Sequence, residues 1–166
     1  MGRSAPTYHG LKPVSGRASS AARGSSRKMD TKPELLLRSA LWKIGLRYRK
    51  NVKDLPGKPD LVFRRAKIAV FVDGDFWHGR DWNSRKHRLR RGTNPDYWIA
   101  KIEGNILRDR RFTAELAKDG WHVLRFWETD LADELRSLVD IVESAVSSSL
   151  REPNDQRPDT TTINRS

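Results

Sequence analysis

Four residues able to take part in hydrolytic chemistry fall within 20 positions of one another: Asp60, Asp73, Asp75 and His78. Carboxylates gathered at that density suit a hard divalent cation such as Mg2+. Such an ion takes oxygen ligands, usually one or two carboxylates, and completes its shell with water and phosphate oxygens. A cation so held activates water and neutralises charge on a phosphate. His78 titrates near neutrality and can move a proton in the same reaction. Between the acids and the histidine stand Phe76 and Trp77, two rings able to wedge into a base stack. Taken singly, each has a plainer reading: Asp73-Gly74 as a turn, Phe76 and Trp77 as core, His78 as a structural side chain. The chemical reading rests on their falling together in a strongly basic chain.

The flanking pattern predicts the elements that must hold these groups. Leu61-Val62-Phe63 and Ile68-Ala69-Val70-Phe71-Val72 are apolar runs of strand length, joined by the short polar linker Arg64-Arg65-Ala66-Lys67. That is a hairpin pattern. Pro59 cannot donate to a ladder and suits the start of the first strand. The hairpin puts Asp60 at the mouth of its first strand and Asp73 and Asp75 at the exit of its second. Upstream, Thr31-Lys32-Pro33-Glu34 predicts a helix opening on a capping box. Leu36, Leu37, Ala40, Leu41 and Ile44 follow at helical spacing, and Gly45 is a stop. Glu34 is either the box partner alone or also a group facing the hairpin. Leu46 to Lys50 reads as a short strand.

Downstream of the hairpin, positions 79–91 carry Arg80, Arg85, Lys86, Arg88, Arg90 and Arg91 against a single acid, Asp81. This segment is expected to be a loop, either solvated or in contact with a nucleic-acid backbone. Asn94 or Thr93, with Pro95, predicts a helix running to about Ala117, its buried side formed by Trp98, Ile102, Ile106, Phe112 and Leu116. Asp109 lies there among Arg108, Arg110 and Arg111, which are its simplest partners. Asp119-Gly120 reads as a turn and Trp121 to Trp127 as a strand. Leu131, Leu135, Leu138, Val139, Val142 and Val146 predict a last amphipathic helix. The order helix, three strands, helix, strand, helix gives an α/β fold, a mixed sheet flanked by helices.

Composition narrows the partners. The net charge of +12 over 166 residues points to a polyanion. Cysteine is absent, which excludes disulfides, a thiol nucleophile and cysteine-ligated zinc. No apolar run approaches the roughly 20 residues needed to span a bilayer, so no membrane partner is expected and the location is read as cytoplasmic, nucleoid-associated in a bacterium. Six tryptophans exceed the needs of a small core and are compatible with base stacking. Residues 1–29 hold six Lys or Arg and no acid, and are expected to be a disordered basic arm: a DNA-tracking segment, a tail without a role, or an organelle transit peptide. The folded domain is expected over 30–147, and a disordered tail over 148–166.

A larger constellation carries a resemblance. Asp30-Thr31-Lys32-Pro33-Glu34-Leu35, Leu46-Arg47-Tyr48-Arg49, Asp54-Leu55-Pro56-Gly57-Lys58-Pro59-Asp60, Phe76-Trp77-His78-Gly79, Tyr97-Trp98, Lys101-Ile102, Asn105, Arg108-Asp109-Arg110-Arg111 and Gly120-Trp121-His122-Val123-Leu124 occur in this order. In content and order they resemble the very-short-patch-repair (Vsr) DNA mismatch endonucleases, from about residue 23 to 140. The resemblance implies a restriction-endonuclease-like (PD-(D/E)XK) core. It implies a strand nick 5′ to the thymine of a T:G mismatch, dependent on Mg2+, with Mn2+ as a substitute. By motif, Asp60 corresponds to the metal-binding aspartate, the Val72 carbonyl to a backbone ligand and His78 to a catalytic histidine. Glu34 and Asp109 correspond to supporting acids, and Phe76, Trp77 and Trp98 to intercalating aromatics. Arg80, Arg85, Lys86 and Arg88 are expected to bind the DNA backbone. The implied partner is mismatched double-stranded DNA, bound by a monomer, with room for a mismatch-repair partner protein.

Two departures stand out. Asp73 occupies the position of a second catalytic histidine, and is read either as an added metal ligand or as a weakened proton-transfer site. The positions of a structural zinc site fall at Asp75, Arg80, Trp82 and Thr129, where zinc-bearing members have three Cys and one His. No zinc is expected, and packing around Trp82 is expected to hold that segment. The departures leave two other readings open, a nuclease for other mismatched or modified DNA and a catalytically inactive mismatch-binding module; charge alone leaves a third, a basic RNA-binding or ribosome-associated protein.

Overall fold

A computed structural model describes residues 30–151. The expected arm over 1–29 lies outside them, as does the expected tail from 152 onward. Helix α1 (Lys32–Lys43) opens as its sequence requires. The Glu34 backbone N–H donates to the Thr31 hydroxyl at 3.4 Å, and that hydroxyl donates to Glu34 Oε1 at 3.1 Å. Leu37 and Leu41, four residues apart, are completely buried. Leu36 and Ile44, expected in the same stripe, are exposed, because the helix lays a narrower face on the sheet than the apolar pattern offers.

The sheet has four strands in the order β1 (Arg49–Lys50), β2 (Leu61–Phe63), β3 (Ile68–Asp73) and β4 (His122–Trp127). The first two pairings are antiparallel, with Leu61 opposite Val70 in the hairpin, and β3 pairs parallel with β4, Phe71 opposite Arg125. The strand expected over 46–50 is shorter, since pairing with β2 reaches only Arg49 and Lys50. Both hairpin strands are buried almost throughout, as the uninterrupted apolar runs predicted.

A parallel pairing needs a long crossover, and here it contains two helices. The basic segment expected as a loop contains helix α2 (Trp82–Leu89). Helix α3 (Pro95–Lys118) then runs unbroken through Gly104. The Asp119-Gly120 turn, with Gly120 at φ +78°, leads into β4. The single last helix expected from the sequence is two, α4 (Glu128–Asp133) and α5 (Leu135–Arg151), separated at Glu134. Helix α5 continues past the domain boundary expected at 147.

Pleating divides the core between the faces of the sheet. On one, Leu61, Phe63, Ile68, Val70 and Phe126 pack with Leu37 and Leu41 of α1, Leu131 of α4 and Leu138, Val142 and Val146 of α5. On the other, Ala69 and Phe71 pack with Leu116 of α3. The acids at the strand ends therefore meet α3 on one side and the N-terminus of α1 on the other. Among the described residues no helix is long and apolar enough to cross a membrane.

Candidate active site

Asp60 sits where the hairpin opens. Its backbone N–H donates to Val70 O at 3.0 Å, and its side-chain Oδ2 accepts the Val72 N–H at 2.7 Å. Burial is the main influence on this carboxyl, and the negative charges of Glu34 and Asp73 add to it. Against the Val72 hydrogen bond and the charge of Arg38, they push its pKa up to about 6.

Asp73, the last residue of β3, is only 6% exposed. Both its oxygens accept from one guanidinium, Oδ2 from Arg125 Nε and Oδ1 from Arg125 Nη2, each at 2.7 Å. His78 follows in the turn after β3, where its backbone N–H bonds Gly74 O at 3.1 Å. Its Nδ1 lies 2.6 Å from Asp109 Oδ2 on α3 and 3.4 Å from Asp73 Oδ1. Facing a carboxylate, Nδ1 carries the proton, which leaves the Nε2 lone pair as the reactive one. Burial disfavours the charged ring, but the hydrogen bond to Asp109 and the charges of Asp73 and Asp109 outweigh burial and Arg125, so its pKa is raised. Asp109 thus serves the histidine rather than its arginine neighbours along the helix, its simplest partners by sequence. Gly79, at φ +76°, ends the turn. A side chain there would collide with Ile106 of α3, so glycine lets His78 approach that helix.

Glu34 does close the capping box, and it also accepts from Arg38 Nη2 at 2.9 Å. Its charge is felt by Asp60 and by Glu128, whose pKa burial and the charges of Asp75 and Glu34 raise.

The three aromatics expected to meet DNA form one cluster. Phe76 lies 5.0 Å from Trp77 and 5.9 Å from Trp98, and Trp77 lies 6.0 Å from Trp98, centroid to centroid. Tyr97 extends the cluster, Lys101 Nζ stands 5.3 Å from the Trp77 centroid, and Asn105 Nδ2 holds Trp77 O at 2.9 Å. The basic residues differ in what they already contact. The Arg85 guanidinium is 5.5 Å from the Phe76 ring, Lys86 pairs with Glu103, and Arg88 is on the exposed side of α2.

Arg80 turns toward α4. Its Nη1 meets Asp130 Oδ1 at 2.6 Å, Asp75 Oδ1 at 3.2 Å and the Thr129 hydroxyl, which itself donates to Asp75 at 2.7 Å. Three of the four positions matched to zinc ligands thus meet, but as a carboxylate, a hydroxyl and a guanidinium, which is no zinc donor set. The indole N–H of Trp82, the fourth position, donates to Glu103 on α3 at 3.3 Å. Polar contacts of Arg80 with Asp75, Thr129 and Asp130 hold the segment together with the close approach of Gly79 to Ile106.

Among the described residues no three or more His, Cys, Asp or Glu side chains are arranged to hold a metal ion. Asp60 offers one buried carboxylate, and Mg2+ in its usual sparse mode takes one or two, with the rest of its shell left to water and phosphate. Sequence reasoning missed Arg125. Its signal was a charge in the apolar run Trp121 to Trp127, which must find a partner on folding.

Comparisons with known proteins identify the family. The family described as "DNA mismatch endonuclease Vsr" matches residues 16–84. The chain is 49% identical over 122 residues to the type II nicking enzyme V.NmeDIP of Neisseria meningitidis serogroup C, covering 74% of this chain and 81% of that one. It is 50% identical over 109 residues to the type II nicking enzyme V.HpaIIP of Haemophilus parainfluenzae, covering 66% and 76%. It is 37% identical over 102 residues to the DNA mismatch endonuclease Vsr of Escherichia coli K12, covering 61% and 64%. A mixed sheet that gathers acids and a histidine beside an aromatic cluster is here the framework of a DNA endonuclease. The chain belongs to the Vsr family.

Proposed function

We propose that the protein nicks one strand of duplex DNA 5′ to the T of a T:G mismatch, on a restriction-endonuclease-like core and with Mg2+ held by Asp60 and the Val72 carbonyl. The observation that carries the reading is the His78–Asp109 pair, at 2.6 Å, with Asp73 3.4 Å from the same ring nitrogen and its charge felt by the buried carboxyl of Asp60, and with Phe76, Trp77 and Trp98 clustered beside the turn. The chemistry Mg2+ supplies when bound is polarisation of the phosphate and acidification of water. Asp60 and Val72 would hold the ion; Asp73, its oxygens turned to Arg125, is the lesser candidate.

The other steps belong to the chain. His78 Nε2 takes the proton from the attacking water or gives one to the leaving oxygen, and Asp109 keeps the ring in the tautomer that allows either. The aromatic cluster enters the base stack, and a mismatched step unstacks at lower cost than a paired one, which supplies selectivity. Exposed cations of α2, Arg88 among them, contact phosphates and make binding salt-sensitive.

The test is a nicking assay on end-labelled duplexes that differ only in one T:G or T:A pair, with Mg2+, Mn2+ or EDTA. A nick beside the T of the T:G duplex alone, lost in EDTA, is the expected result. Cutting of both duplexes would retain the endonuclease and discard the mismatch restriction. Binding without cutting in either metal would overturn the proposed reaction.

A further inference from the structure

Arg125 is the only Lys, Arg, Asp or Glu of β4, and four side chains close a ring through it. Its Nε and Nη2 grip the two oxygens of Asp73, and Nη2 also lies 3.5 Å from Asp109 Oδ1. Asp109 Oδ2 meets His78 Nδ1 at 2.6 Å, and the same Nδ1 lies 3.4 Å from Asp73 Oδ1. The guanidinium is fixed on its other sides. Its Nη1 donates to Thr113 on α3 at 3.3 Å, and its centre stands 4.5 Å from the Phe71 ring centroid.

Such a ring solves a problem of allocation. His78 Nδ1 has one proton, and two carboxylates face it. Left alone, Asp73 would be a buried charge competing with Asp109 for that proton, and the imidazole would turn between them. A planar guanidinium gives Asp73 both of its bonds, and an ammonium group cannot reproduce that fork. The observed distances follow that division, short to Asp109 and long to Asp73.

We propose that Arg125 is a positioning residue for the nicking reaction: by engaging Asp73 and steadying Asp109 it assigns the His78 Nδ1 proton to Asp109 and fixes the direction of Nε2. The inference rests on the reading of His78 as the proton-transfer residue.

The experiment uses the full chain as Arg125→Lys, Arg125→Gln, Asp73→Asn and the double variant Asp73→Asn/Arg125→Gln. The His78 ring ¹⁵N signals, identified by their loss in His78→Gln, are compared with single-turnover nicking and DNA affinity. Arg125→Lys, which retains charge and bulk, is expected to slow nicking by about 10²-fold, the scale of a misplaced proton-transfer group. Its DNA affinity should stay within about threefold of native, and its His78 signals should shift toward a mixture of tautomers. The double variant is expected to be no slower than the slower single, because both changes break the same fork and a neutral Asn at 73 no longer competes as a carboxylate for the Nδ1 proton.

Unshifted His78 signals in Arg125→Lys would overturn the inference. So would an affinity loss as large as the rate loss, which would make Arg125 a phosphate contact, or effects that multiply in the double variant. Should the native chain nick neither duplex, the reaction proposed above fails, and the ring spectra alone decide the role of Arg125. If Arg125→Gln does not fold, the lysine variant and Asp73→Asn carry the test.

Discussion

Replacing Asp60 by Asn should end nicking and at the same time make the metal-free protein more stable. Burial beside Glu34 and Asp73 raises the Asp60 pKa from 3.8 to about 6. At 1.36 kcal/mol per unit, that is about 3 kcal/mol. Between these two values the unfolded chain has released its proton and the folded chain keeps it, so stability falls as pH rises through the window. Above about pH 7 the folded carboxylate carries the whole penalty. Asn stays neutral, and its side-chain oxygen can still accept the Val72 N–H bond seen at 2.7 Å. At pH 8 without metal, Asp60→Asn should therefore melt roughly 10 °C above native, with little difference at pH 4. Mg2+ should raise the native melting temperature and leave that of Asp60→Asn unchanged. Calorimetry or circular dichroism melts between pH 4 and 8, each in EDTA and in Mg2+, measure all of this. A variant that melts at or below native at pH 8, or a difference that does not change with pH, would refute the claim that Asp60 is held as an unfavourable charge awaiting a cation.

Asp109→Asn removes the negative charge that, with its hydrogen bond, lifts the His78 pKa, so the acidic limb of the pH–rate profile should move to lower pH as the maximal rate falls by about 10²-fold. A limb that stays in place would assign it to another group. Arg88→Ala should weaken binding of matched and mismatched duplexes alike and reduce the slope of log affinity against log salt by about 1, as measured by fluorescence anisotropy. A change confined to the mismatched duplex would place Arg88 at the bases instead.

Local signals carried the parts of the fold that local physics decides. The capping box of Thr31 and Glu34, the hairpin of β2 and β3, Pro95 at the start of α3 and the Asp119-Gly120 turn all lie where the sequence puts them. Helix α2 was hidden because it buries nothing completely: Trp82 and Leu89, two turns apart, are the only apolar residues in its eight positions. The division between α4 and α5 was hidden because Leu131 and Leu138 both face the core, as one helix would also have arranged. Asp60 and His78 were recognisable from short motifs. The pairing that surrounds them was not, since Arg125 meets Asp73 across 52 positions and His78 meets Asp109 across 31. Nothing in either strand by itself says which partner the parallel register will supply.

Arg80 gives the turn after β3 a cation that cannot leave. Where a metal-held turn would rely on an imported ion, Asp75, Thr129 and Asp130 close around a group built into the chain, its proton held more firmly by its bonds to Asp130 and Asp75. The junction between that turn and α4 is complete as soon as the protein folds, with no loading step and nothing for a chelator to remove. What it trades for that independence is sensitivity to dissolved salt, which weakens an ion pair at the surface far more than a coordinate bond.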